Sequence, residues 1–173
     1  MTKYHNIHGQ INADMVNHIH EIMNDPNCDD HYIYFTSHGG EDKFTSVITD
    51  SVCRYKNSGK KILFIFHDQM FSNGFFLAFR LPKEAVSYIP REIVGMAHIS
   101  RIEVEISSNG TGWTKDDDAR IEHVKSLHNG LITELKKIGL TKKEIDDVKK
   151  GTDVYFKSSR MVELFKRNKI KEF

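Results

Sequence analysis

Apolar residues in this chain fall into short runs and helical stripes separated by polar turns. Tyr4 to Ile11 reads as a short strand ending at Gly9, and Asn12 is placed to cap a helix behind it. From Ala13 to Met23 the apolar positions are Met15, Val16, Ile19, Ile22 and Met23, the spacing of one helical face. Asn24-Asp25-Pro26-Asn27 closes that helix. Tyr32 to Phe35 is a β-rich run suited to a buried parallel strand. Helical spacing returns from Phe44 to Tyr55, through Val47, Ile48 and Val52, and stops at Asn57-Ser58-Gly59-Lys60. Ile62 to Phe66 is the next strand. A polar stretch leads to a helix from Asn73 to about Leu81, apolar on most of its circumference and therefore central. Pro82 ends it. Ala85 to Tyr88 and Ile93 to Ala97 read as two short strands parted by Ile89-Pro90-Arg91-Glu92.

The second half is less regular. Arg101 to Ile106 alternates charged and apolar residues, as a half-exposed strand does, and Ser107 to Gly112 reads as a polar loop tip. Trp113 has two readings, a partner contact or local packing. A long helix is predicted from Thr114 to about Ile138. Its stripe is Ile121, Val124, Leu127, Leu131, Ile132, Leu135 and Ile138. Thr141 and Glu144 have the spacing of a capping box for the next helix. Val154 to Phe156 is a short strand, and Ser158 is expected to cap a helix through Met161, Val162, Leu164 and Phe165. The basic tail from Lys166 to Phe173 is expected to be partly disordered. Alternating strands and helices predict an α/β fold with a largely parallel sheet, in one domain spanning residues 1–173.

Composition narrows the functional classes. A formal net charge of +1 offers no field for nucleic acid or an anionic membrane, so neither partner is expected. No apolar run reaches the length of a membrane span, and Met1 to Asn6 lacks the apolar core of a signal peptide, so a cytoplasmic protein is expected. Cys28 and Cys53 have no metal-binding spacing; reduced thiols are the plainer reading and a disulfide the alternative. His5, His8, His18 and His20 lie near one another in sequence but contain no i, i+4 pair, which favours solvated histidines over a metal site. Asp116, Asp117 and Asp118 suit a helix start. No metal or cofactor is expected.

Candidate chemistry sits at the strand ends, where parallel α/β sheets build their sites. Gly39 and Gly40 follow a strand, which either makes a plain turn or lets the backbone approach a ligand. Ser72 stands between a strand and a helix, so it is either an N-cap or a nucleophile beside unpaired N–H groups. His98 follows a later strand directly. Asp153 precedes another, whereas Asp146 and Asp147 fall inside a predicted helix. Serine, histidine and aspartate together supply a nucleophile, its base and the base's orienting partner. Backbone N–H groups of Gly40 and Asn73 are candidates for the oxyanion hole.

These residues also carry a resemblance. Ser37-His38-Gly39-Gly40 resembles the Ser-Pro-Gly-Gly turn of the proteolytic subunit of Clp-type serine proteases, within the Clp/crotonase superfamily. Asp68-Gln69-Met70-Phe71-Ser72-Asn73-Gly74-Phe75 stands where that family has Gly-Gln-Ala-Ala-Ser-Met-Gly-Ala. His98 lies 26 residues after Ser72, near the family spacing, and Asp153-Val154-Tyr155-Phe156-Lys157-Ser158 followed by Val162-Glu163 repeats the order around the family aspartate. The resemblance spans roughly Tyr4 to Ile170 and is weakest between Ile99 and Leu140. It implies ββα units around a mostly parallel sheet, a handle region over about 99–138, and a cofactor-free peptidase with Ser72, His98 and Asp153 as its triad. It also implies a homo-oligomeric ring acting on peptides or unfolded proteins. Phe75, Phe76 and Phe79 would serve such assembly, or else pack within the subunit. Met70 and Phe71 replace two alanines, so together with Gly39 they are candidates for the substrate pocket, and His38 stands where the family has proline. The family's N-terminal helix and axial loop have no counterpart ahead of Tyr4, and Ile99 to Gly112 lacks the Gln-Pro start of the handle. The expectation therefore does not extend to docking on an ATPase unfoldase or to a double ring. The alternatives are a catalytically silent Clp-like subunit that works by binding and, third, a crotonase-like acyl-CoA enzyme.

Overall fold

The computed structural model describes residues 1–99 and 115–173, and the strand, loop and tryptophan expected between Arg101 and Trp113 lie outside them. Two compact units are present. The first joins Met1–Ala97 to Val154–Phe173, and the second is His98–Asp153.

The first unit is an α/β sheet. Its elements are β1 (Thr2–Ile11), α1 (Ala13–Met23), β2 (Asp30–Gly40), α2 (Asp42–Asn57), β3 (Lys61–Phe71), α3 (Asn73–Arg80), β4 (Val86–Ala97), then β5 (Val154–Phe156), α6 (Ser158–Arg167) and β6 (Lys171–Glu172). Strands β1 to β4 are parallel neighbours in chain order; β5 pairs antiparallel and β6 parallel with β4. Crossovers that all step in one direction place α1, α2 and α3 on the same face of the sheet.

Helix α1 forms where its pattern says. Asn12 accepts the Met15 N–H at 3.0 Å, and the five predicted apolar residues are all buried. Helix α2 is rotated from its predicted face. Ile48, Val52 and Tyr55 are buried, but so are Thr45 and Ser51, while Val47 is exposed. The Ser51 hydroxyl lies 2.8 Å from His20 Nε2 on α1, so the polar atom is satisfied at that interface. Phe75 and Phe76 are buried within the chain, with Phe75 stacked on Phe156.

Six elements differ from the sequence expectation. β1 does not end at Gly9; it bends there, with a register shift, and runs on to Ile11. β2 and β3 continue through the polar residues that read as turns. The two strands expected around Pro90 are one, β4, whose pairing with β3 is interrupted between Tyr88 and Ile93. A proline has no N–H to donate, and it sits in that unpaired stretch. The tail is ordered through β6: Ile170 is buried, and the Phe173 N–H donates to the Tyr88 carbonyl at 3.1 Å. Ser158 is the first residue of α6 rather than its cap, which is Lys157.

The second unit contains α4 (Lys115–Ile138) and α5 (Lys142–Lys149). Of the α4 stripe, Ile132, Leu135 and Ile138 are buried, while Leu127 is 49% exposed. Thr141 and Glu144 form the expected capping box. Asp118 is exposed; the side chains of Asp116 and Asp117 lie outside the description. Both cysteines are free thiols. Among the described residues, no helix is long and apolar enough to cross a membrane, and no group of three potential ligands is arranged to hold a metal ion.

His5 and His31 meet across β1 and β2, with Nε2 of one 3.1 Å from Nδ1 of the other. Burial is the main cause that holds both below the ordinary histidine range; for His31 it outweighs the Cys28 backbone and Asp25. Their neutral forms therefore belong to the folded state, while the unfolded chain takes up protons near pH ~6.5. Stability is present above that value and is lost as pH falls through it. Urea unfolding is expected to show a lower midpoint at about pH 5.5 than at about pH 7.5, and His31→Gln, which takes up no proton, should narrow the gap.

Candidate active site

Ser72 occupies a sharp strand-to-helix turn between β3 and α3. Its backbone has φ 53° and ψ −122°, a conformation that costs a non-glycine residue roughly 1–3 kcal/mol. Three backbone hydrogen bonds hold it there. The Ser72 N–H donates to Met96 in β4 at 2.9 Å, and the Ser72 carbonyl accepts from Phe75 and Phe76 at 3.0 and 3.3 Å. The side chain makes no capping hydrogen bond to α3. Ser72 therefore stands at the N-cap position without the side-chain hydrogen bond that a capping serine gives. A serine on a strained turn of this kind is how several hydrolases present a nucleophile.

The Gly39-Gly40 segment lies against that turn. Gly39 has φ 105°, and a Cβ there would stand 2.6 Å from Ser72 Cβ and 3.2 Å from Ser72 Oγ. Only glycine fits so close to the hydroxyl. Ser37, buried just ahead, accepts the Gly39 N–H at 3.0 Å and donates to Gly9 at 2.8 Å, which ties the segment to β1. Gly40 is fixed from two sides. Asn73 Nδ2 donates to its carbonyl at 2.6 Å, and the next N–H, of Glu41, donates to Ile11 at 3.1 Å. The two residues whose N–H groups are candidate oxyanion donors, Gly40 and Asn73, are thus bonded to each other. Asn73 is 6% exposed, and Asn73→Ala would leave the part-buried Gly40 carbonyl without this donor. A loss of about 1–3 kcal/mol is expected in thermal or urea unfolding, with Asn73→Asp no better because its carboxylate cannot donate.

His98 and Asp153 are brought together by the last rungs of the sheet. Ala97 in β4 pairs with Val154 in β5, and His98 and Asp153 are the next residues outward on each chain. His98 Nδ1 lies 3.3 Å from Asp153 Oδ1. The carboxylate is placed to hold the Nδ1–H tautomer, which leaves Nε2 as the basic nitrogen. Asp147 is engaged elsewhere, 3.1 Å from Lys143 within α5.

The pocket candidates separate. Met70 is completely buried in the sheet, so it lines no accessible surface; it is a core residue. Phe71 is half-buried, with its ring centroid 5.9 Å from that of Tyr155 and 6.4 Å from that of His38. The sequence assigns no role to Tyr155 or to Ser37. The signal for Tyr155 is its place as the outward residue of a three-residue strand directly after Asp153; for Ser37 it is its place at the head of the Ser37-His38-Gly39-Gly40 turn.

No family model matches this sequence, and no curated protein matches it. What the fold establishes is an α/β protein with a six-stranded, mostly parallel sheet and six helices among the described residues.

Proposed function

We propose that this protein is a serine peptidase of the Clp type. The observation that carries the reading is the strained, non-capping Ser72 with Gly39 packed against it. Ser72 Oγ attacks the carbonyl of a peptide bond. His98 Nε2 takes the hydroxyl proton and returns it to the departing amine, and Asp153 orients the imidazole and stabilises its charged form. The N–H groups of Gly40 and Asn73 receive the developing oxyanion. Water then hydrolyses the acyl-enzyme, with His98 again as base. The 3.3 Å contact of His98 with Asp153 supports the second half of this scheme.

The finer fold assignment belongs to the same proposal: a Clp/crotonase-like domain that assembles into a cytoplasmic homo-oligomeric ring and cleaves peptides or unfolded chains without a cofactor. Phe75 and Phe76 do not serve assembly, since they are internal, whereas Tyr4 and Val94 remain exposed. One observation favours the silent, binding-only subunit: the bulky Phe71 directly beside the serine.

A fluorophosphonate probe tests the choice. Wild-type protein is expected to label, and Ser72→Ala to remain unlabelled. Absence of labelling in folded wild-type protein, with its oligomeric state measured in parallel, would overturn the peptidase reading in favour of the silent subunit.

A further inference from the structure

Three rings from three separate segments gather around Phe71, the residue before Ser72. Phe71, the last residue of β3, directly precedes the serine. His38 directly precedes Gly39, the glycine whose position admits no side chain against Ser72. Tyr155 in β5 is paired with Met96, and Met96 in turn is paired with Phe71 and accepts the Ser72 N–H at 2.9 Å. Phe71 and Tyr155 therefore flank one residue of β4 and meet edge to face, at 5.9 Å and 87° between their planes. The His38 ring lies 6.4 Å from that of Phe71.

Exposure separates this cluster from the core. Phe35, Phe64, Phe66 and Phe75 are fully buried, but Tyr155 is 65% exposed and Phe71 and His38 retain solvent-facing surface. A tyrosine left in water beside a phenylalanine has apolar area still to cover, with its ring edges and faces available to a further ring. Small substituents would leave that area wet.

We propose that His38, Phe71 and Tyr155 form an aromatic subsite beside Ser72 that receives an aromatic side chain of the substrate, next to the bond being cleaved. The inference rests on Ser72 acting as the nucleophile of a peptidase, and it deepens that reading by naming what the substrate carries. Phe71, a pocket candidate in the sequence, becomes a wall of the subsite.

Binding can be measured without turnover. N-acetyl-phenylalaninamide and N-acetyl-alaninamide are titrated into the Ser72→Ala protein while the aromatic resonances of Phe71 and Tyr155 are followed by NMR. The phenylalanine amide is expected to shift both rings and to bind at least about tenfold more tightly than the alanine amide. Tyr155→Ala, at an exposed position, should weaken it about fivefold to tenfold, the worth of one aromatic pair. Tyr4→Ala, which removes another exposed tyrosine far along β1, should change nothing. Equal binding of the two amides, or indifference to Tyr155→Ala, would overturn the subsite. Fluorophosphonate labelling of wild-type protein reports separately on the nucleophile. Labelling without aromatic preference sinks the subsite alone, and aromatic binding without labelling sinks the peptidase alone.

Discussion

Asp153→Asn is expected to lower peptide hydrolysis about 10^4-fold while leaving the fold intact. An amide in place of the carboxylate no longer demands the Nδ1–H tautomer of His98, and it cannot stabilise the imidazolium formed when the serine proton is taken. The His98–Asp153 contact is between two partly exposed side chains, 30% and 44% accessible, so little stability is at stake and the loss should lie in kcat rather than in unfolding. Ser72→Ala and His98→Ala should be at least as severe, and combining them should cost little more than either alone, because the groups act as one unit. Hydrolysis of a fluorogenic unfolded protein, with circular dichroism of each variant beside it, measures the effect. Asp147→Asn is the control, since that carboxylate is held by Lys143. Full activity in Asp153→Asn would remove Asp153 from the proposed triad.

Gly40→Ala carries the largest expected loss of stability. A Cβ at Gly40 would stand 2.1 Å from the carbonyl oxygen of Ile11 and 2.7 Å from its backbone carbon and nitrogen, and the residue has φ 150°. The obstacle is backbone in the β1–β2 ladder, so no side chain can swing aside. Either the ladder opens or the Gly40 peptide moves off Asn73. A cost on the order of 3 kcal/mol is expected, a fall in Tm of about 6–12 °C for a chain of this size. Gly9→Ala provides the comparison: its φ is also positive, at 116°, but nothing lies within 4 Å of the added Cβ. It should cost only about 1 kcal/mol of backbone strain. Labelling of Ser72 should fall in Gly40→Ala even below the melting temperature, since the donor segment shifts. Equal melting of the two variants would show that the close approach at Gly40 is not what holds the turn.

Some elements were legible because their cause is local. Asn12 and the apolar spacing behind it specify α1, and Thr141 with Glu144 specifies the start of α5, because capping and helical periodicity act within a few residues. Strand lengths were not legible. Thr36 to Gly40 and His67 to Phe71 look like turns by composition, and they are strands because neighbouring backbones offer them partners. The same holds for Lys171 and Glu172, which are ordered by the edge of β4. Thr45 and Ser51 are buried in α2, with His20 of α1 beside the Ser51 hydroxyl, a contact no single helix pattern contains.

By itself the sequence determined the α/β class, the order of the main helices, and which residue types stand at the strand ends: Ser72, His98, Asp153 and the two glycines. Those follow from periodicity and from turn chemistry, which are properties of short windows. Tertiary structure alone decided three further matters. It placed Met70 in the core and left Phe71 half-buried, because successive residues of a strand point to opposite faces of the sheet. It joined Asp153, rather than Asp147, to His98, because the last rung of an antiparallel pair sets two distant residues side by side. It also gave Ser72 its left-handed backbone at the N-cap position, where its N–H is bonded to Met96 and Gly39 packs against its side chain, because neither neighbour is near it in sequence.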